Sequence, residues 1–239
     1  MLSPTMQALV YLEHLGEVDS KQLQKWQKNS LRGIIGKLEA QALITRSMRD
    51  KSTFYKLSDK GLKFLDDILE NLHEGKEPLN RWTIVLFSIP EKERTARDRL
   101  RRFLQKSNFG NIYGSAWIAT SRPGITEDIS RYSKSNNIAD KIVIIEGTAS
   151  PNDNRKISAG AWNIQSLSIQ YHQFIKKTES INKLKKEPDD ASYEAKKLIF
   201  ELALIVQNDP NLPPALLPND WPKQRALEKY QEIRKRISR

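Results

Sequence analysis

The side chains with the most legible chemistry in this chain are cations grouped near its amino end. Ser30, Arg32, Gly33 and Lys37 form one group, and Arg46, Arg49 and Lys51 a second. Guanidinium and ammonium groups neutralise phosphates, and Arg or Lys can also donate to guanine edges in a major groove. From Lys21 to Lys63 eleven basic residues face only three acidic ones, Glu39, Asp50 and Asp59. The turns that follow are acidic, with Asp66, Asp67, Glu70, Glu74 and Glu77. The chain as a whole has 239 residues and a net charge of +11. Its positive charge is concentrated in one stretch, as a polyanion-binding surface requires.

Catalytic chemistry finds no comparable grouping. His14, His73 and His172 fall on three separate predicted helices, and none has a neighbour at metal-ligand spacing. They read as half-exposed helix residues. The carboxylate pairs Asp66-Asp67 and Asp189-Asp190 are adjacent, so helical geometry splays them apart. No glycine-rich phosphate loop and no G-x-S-x-G nucleophile turn is present. The absence of cysteine removes disulfides, thiolate catalysis and cysteine-based zinc sites together. The expectation is therefore a non-enzyme with no cofactor, no metal and no catalytic residue. No apolar run approaches the ~18 residues of a membrane span. Glu13 and Glu17 and the lack of a basic leader argue against a signal peptide, so a cytoplasmic protein without membrane partners is expected.

The elements that must carry the cations follow from periodicity. Residues 3–14 read as a helix with Met6, Leu9, Val10 and Tyr11 on its apolar face, closed by Gly16. Ser20 is placed to cap a short second helix containing Leu23 and Trp26, and Ser30 a third. Leu31, Ile34, Ile35, Leu38 and Ala42 recur as one helical stripe. That stripe turns Asn29, Gly33, Gly36, Lys37 and Ala40 outward. Each glycine costs a helix interior about 1 kcal/mol relative to alanine, which is easier to understand where something large must come close. Residues 44–46 and 54–57 read as strands around a polar turn at 47–53, and Ser58 caps a fourth helix. Three helices, a hairpin and a helix is the order of a winged helix-turn-helix.

A second segment reads strand 82–89, helix 91–107, strand 113–119, helix 125–135 and strand 141–146, a β-α-β…α-β order that suggests a ferredoxin-like βαββαβ sandwich. Arg94, Arg97, Arg99, Arg101 and Arg102 on its first helix read as a solvated face with i,i+4 partners. Residues 148–157 read as a turn-rich linker. Two helical segments follow, one with Trp162, Ile164, Leu167, Tyr171 and Phe174, the other with Ala195, Leu198, Ile199, Leu202, Ala203 and Val206. A proline-dense stretch from Asp209 to Pro222 forbids a regular helix, and a basic helix runs from Lys223 onward. The expected fold class is α+β, in three domains: 1–78 winged helix-turn-helix, 79–148 ferredoxin-like dimerisation domain, and 149–239 helical, for ligand sensing or dimer bracing.

Several blocks of this sequence resemble the PaaX family of bacterial transcriptional regulators. They are RWTIVLFSIPEKERTARDRLRRFLQKSNFG at 81–110 with Tyr113-Gly114-Ser115-Ala116-Trp117-Ile118, then Ala161-Trp162-Asn163-Ile164 with Tyr171 and Phe174, then LPPALLPNDWP at 212–222. Tyr55-Lys56-Leu57-Ser58-Asp59-Lys60-Gly61 is similar to that family's winged helix. The resemblance implies a dimeric repressor that leaves its double-stranded operator on binding a metabolite, of acyl-coenzyme A type in the best-known members. No residue here is assigned to such an effector. The central segment is also similar to the ferredoxin-fold nuclease of CRISPR adaptation, whose metal-binding aspartate ends the first strand. Ser88 stands at that position, and a hydroxyl is a poor ligand for a hard divalent cation. Glu91, past Pro90 at a helix start, has an ordinary electrostatic role there. A metal-dependent nuclease is thus the alternative function, and Ser88 disfavours it. The expected DNA-contacting residues are Ser30, Arg32, Gly33, Lys37, Arg46, Arg49 and Lys51.

Overall fold

The structure, a computed structural model, describes residues 2–26, 31–73, 80–114, 116–181 and 188–237. It is of the α+β class. Helix α1 spans Pro4–Leu15, with Ser3 Oγ accepting from the Met6 N–H at 3.2 Å and proline in the first turn, where a missing N–H costs nothing. A short strand that the sequence reading did not foresee, β1 (Glu17–Asp19), comes next. Asp19 then caps α2 (Ser20–Trp26): its Oδ1 accepts from the N–H groups of Lys21 and Gln22, and Gln22 Oε1 accepts from the Asp19 N–H. This reciprocal capping box makes Asp19 the cap in place of Ser20. Ser30 and Asn29 lie outside the described residues.

Helix α3 spans Leu31–Ala40 and buries Ile34, Ile35 and Leu38. Ala42, expected on the same stripe, lies past the helix end with φ of 55°. Its N–H donates to Glu39 O at 2.8 Å, and the Leu43 N–H to Leu38 O at 2.9 Å. That is a Schellman stop with alanine where glycine is usual. Strands β2 (Ile44–Arg49) and β3 (Ser52–Leu57) form a hairpin whose tip is only Asp50-Lys51. Both tip residues have positive φ, 47° and 63°, a tight turn whose twist matches the strands. Most of the expected turn at 47–53 is therefore strand. β3 pairs on both sides, giving the order β1-β3-β2. Helix α4 (Asp59–Glu70) starts at Ser58, whose Oγ accepts from the Gly61 N–H at 3.0 Å.

The second sheet contains β4 (Trp82–Phe87), β5 (Gly110–Ile112), β6 (Ala116–Thr120) and β7 (Ile142–Gly147) in the order β5-β6-β4-β7, with every pairing antiparallel. With α5 (Arg94–Lys106) after β4 and α6 (Ile125–Ser135) after β6, this is the connectivity of the ferredoxin-like sandwich. Val85, Phe87, Trp117 and Ala119 of the sheet pack with Leu100 and Leu104 of α5 and with Ile125 and Ile129 of α6. The opposite face carries Trp82 and Ile118. It is covered by α7 (Pro151–Ala161) through Ile157 and Ala161, and by Leu212, Leu216 and Leu217 of the proline-rich stretch. The expected linker at 148–157 is thus largely helix. Ser150 caps it and Pro151 opens it, a start signal inside what composition alone reads as loop.

Three further α-helices follow among the described residues: α8 (Ile164–Ile181), α9 (Pro188–Gln207) and α10 (Lys223–Ile237). The packing partitions the chain differently from the sequence-based boundaries. One compact unit comprises Met1–Glu74, Tyr171–Val206 and Lys223–Arg239; the other comprises Gly75–Gln170 and Gln207–Pro222. The reason is apolar. Phe200 and Ala203 of α9 are buried in the core built by α1 to α4, with Tyr193 and Leu204 packed against it. Ion pairs Lys177–Glu201 and Arg225–Glu179 tie α8 to α9 and α10 to α8 within the same unit.

Candidate nucleic-acid interface

Helix α3 has two unlike sides. Ile34, Ile35 and Leu38 face the core, while Arg32, Gly33, Gly36, Lys37 and Ala40 are exposed. A Cβ placed on Gly33 or Gly36 would meet no heavy atom within 4 Å. The glycine-bearing side is therefore open along its length. Neither the Arg32 nor the Lys37 side chain forms an ion pair or hydrogen bond among the described residues, so both cations are available to an external anion.

The hairpin divides the second group of cations between two faces. Alternation along the strand puts Ile44, Arg46 and Met48 on one side, across from Leu57, Tyr55 and Thr53. Ile44 and Leu57 are buried, and Arg46 and Met48 continue this side out into solvent. Met48 is 69% exposed. Arg49 points the other way. Its Nη2 donates to Glu17 Oε1 at 2.6 Å, and its guanidinium lies 5.4 Å from the centre of the Phe54 ring. It braces the hairpin against β1. Lys51, at the tip, is exposed. The structure thus groups Arg46 and Lys51 with solvent access and separates Arg49 from them. Met48 escaped the sequence reading; its position two and four residues along from Arg46 and Ile44 was the available signal.

The helices that position α3 are clamped from far along the chain. The Tyr11 ring stacks on Trp26 with centroids 4.9 Å apart, and Tyr193 of α9 meets Tyr11 edge-on at 5.4 Å. The Trp26 Nε1–H donates to the Tyr193 hydroxyl at 3.2 Å, and Lys196 Nζ donates to Glu13 Oε2 at 2.6 Å. Burial pushes the Tyr193 hydroxyl up to about 12. Nothing in local periodicity linked residues 11, 26 and 193.

Ser88 is exposed just after β4, and its N–H donates to Lys141 O at 3.0 Å. The carboxylates near it are already engaged. Glu91 pairs with Arg97 at 2.8 Å, which holds its carboxyl below the usual range, and Glu93 pairs with Lys141. Among the described residues no group of three His, Cys, Asp or Glu is arranged to hold a metal ion. No described helix is long and apolar enough to cross a membrane. His14 stacks beside Tyr193, with centroids 5.6 Å apart, while His73 and His172 are exposed.

Comparison with known proteins places this arrangement in a family. Residues 76–158 match the PaaX protein central Cas2-like domain, and residues 162–239 match the PaaX-like protein C-terminal domain. The chain is similar to the transcriptional repressor PaaX of Escherichia coli strain K12, at 23% identity over 219 residues that cover 85% of this chain and 68% of the relative. It is also similar in structure to the uncharacterized protein Rv0674 from Mycobacterium tuberculosis, with a TM-score of 0.57 and 15% identity over 88% of this chain and 82% of that one. At that identity the likeness speaks for the fold alone. With a central and a C-terminal domain of one family following each other along most of its length, the chain belongs to the PaaX family of regulators.

Proposed function

We propose that this protein is a sequence-specific DNA-binding regulator whose first four helices and hairpin act as a winged helix-turn-helix. The observation that carries the reading is the open side of α3, where Gly33 and Gly36 leave room and the Arg32 and Lys37 side chains have no partner among the described residues. Side chains that small let a helix backbone lie deep in a major groove. Arg46 and Lys51 on the hairpin reach phosphates or the minor groove beside it, with Arg49 as a brace. Ser30 is retained as a contact on sequence grounds.

The protein acts as a homodimer coupled through the ferredoxin-like sandwich, so two winged helices read a pseudo-palindrome. It represses, and a small metabolite releases it, as the family resemblance implies. It does so as a non-enzyme in the cytoplasm. The repressor named among its relatives supports regulation; Ser88 in place of a carboxylate supports the absence of metal-dependent cleavage.

The test begins with mapping the sites occupied in the source genome, which supplies an operator. Replacing Arg32 and Lys37 together by alanine should weaken binding to that operator by about 30-fold or more with folding intact, since each good base contact is worth about 1–3 kcal/mol. Unchanged affinity in a gel shift would sink the assignment of this surface. Incubation with DNA and Mg²⁺ or Mn²⁺ should leave the DNA whole.

A further inference from the structure

Helix α5 of the second unit carries arginines on two flanks, and the structure treats the flanks differently. On one, Arg94 and Arg101 both lean on Asp98, at 3.7 and 3.9 Å, and Arg97 pairs with Glu91. Two carboxylates thus answer three arginines on this flank, and of these contacts Arg94–Asp98 has the i,i+4 spacing. On the other flank stand Thr95, Arg99, Arg102 and Lys106, spaced four, three and four residues apart and all exposed. None of these three cations is paired with a carboxylate among the described residues. Arg102 Nε donates to Asp98 O at 3.2 Å, which fixes its stem and leaves the outer guanidinium nitrogens free. On α6, Asp128 is matched by Arg131 at 3.5 Å, and Glu127 accepts from the Thr126 hydroxyl at 3.0 Å.

We infer that Arg99, Arg102 and Lys106 form a second phosphate-binding surface for duplex DNA, separate from the winged helix. The inference rests on the DNA-binding reading above and extends it to another part of the chain. A helix rises about 1.5 Å per residue, so the row is roughly 10 Å long. Phosphates of one strand advance about 3.4 Å along the duplex axis but also wind around it, so a row of this length reaches about two or three of them through its flexible side chains.

The aromatic residues beside the row are not free to stack on bases. Phe103 and Tyr132 are half-buried and stacked on each other with centroids 3.9 Å apart. Binding of single strands relies on open aromatic platforms, so the surface fits a duplex and not a single-stranded nucleic acid. It makes no base contacts and adds affinity without sequence preference.

The test uses the full-length protein, a random-sequence duplex and a range of salt concentrations. Each phosphate contact contributes about 0.9 to the slope of log K against log salt. Replacing Arg99, Arg102 and Lys106 together by glutamine should lower the slope by about 2 to 3 and leave the preference for operator over random DNA unchanged. A control with Arg94 and Arg101 replaced by glutamine should lower the slope by less than half as much, since both already lean on Asp98. If the triple variant melts early, Arg99→Gln alone should still lower the slope by about 0.9. A wild-type slope in either free-flank variant overturns the inference while leaving the winged helix in place. Stronger competition by single-stranded RNA than by duplex DNA overturns it as well. Failure of the wild-type protein to bind any duplex removes both readings at once.

Discussion

Gly36 and Gly61 each sit inside a helix of the same unit, yet the structure has opposite uses for them. A Cβ on Gly61 would lie 2.0 Å from Leu43 O, a backbone atom that cannot swing away. The close approach lets α4 start against the end of α3: the Ser58 N–H donates to Leu43 O, Ser58 Oγ donates to Ala42 O, and Lys60 Nζ donates to Gln41 O. Gly61 is therefore required by the protein's own packing. A Cβ on Gly36 would meet nothing within 4 Å. Nothing inside the described protein requires glycine there, so its helix-weakening effect has no internal compensation. The comparison teaches that a helical glycine is informative about a partner only when its surroundings are known to be empty.

The largest expected effect tests the closed glycine. Gly61→Ala should cost about 3 kcal/mol in urea unfolding, at the upper end of overpacking penalties, because backbone must move. A variant of wild-type stability would mean that α4 can slide without loss.

The open glycine should respond with two opposite signs. Gly36→Ala should stabilise the fold by about 1 kcal/mol. It should also weaken operator binding by roughly 10-fold, about 1.4 kcal/mol, if the groove floor approaches this face. Greater stability together with full affinity would place the DNA elsewhere.

Ala42, at the left-handed position that ends α3, offers an intermediate case. Ala42→Gly should raise stability by up to about 1 kcal/mol, since L-residues pay for that conformation and glycine does not. Calorimetric melting would read it.

Tyr193 gives a pH-dependent test of the clamp on α1 and α2. Its hydroxyl ionises near 10.0 when exposed and at about 12 in the fold. An acid whose folded value is raised favours the fold while neutral. Its contribution is complete below pH 10 and lost as pH climbs toward about 12. The melting temperature should fall over that window, and Tyr193→Phe should flatten that part of the fall.

The smallest effect concerns Arg49. Its pair with Glu17 is substantially exposed, at 58% and 31%, so solvent screens it. Arg49→Ala should change stability by no more than about 0.5 kcal/mol. It should weaken operator binding less than Lys51→Ala does; the reverse order in a gel shift would restore Arg49 as a direct contact.

Helix α6 was readable to the residue, and α3 nearly so, because a 3.6-residue apolar stripe over ten or more residues has few competing explanations. The order of the second sheet was readable as a class from the succession of strands and helices. β1 was missed because three residues are too few for alternation to register. α7 was missed because Asn152, Asp153 and Asn154 read as turn formers, although Ser150 and Pro151 form a start signal. For the candidate site, the outward side of α3 followed from its stripe. The division of the hairpin cations depended on strand register, which a one-residue shift in the turn reverses.

What the sequence by itself determined is therefore local: where stripes and caps start and stop, where cations accumulate, and that Gly33 and Gly36 share a side with Lys37. Only the tertiary structure decided that this side is empty, that Arg49 is held by Glu17, and that Tyr193 and Phe200 of a distant helix complete the first core. The physical reason is that helix and strand periods arise from covalent geometry over a few residues. Which cation finds a carboxylate, and which apolar face finds a cover, depends on residues brought together from far along the chain.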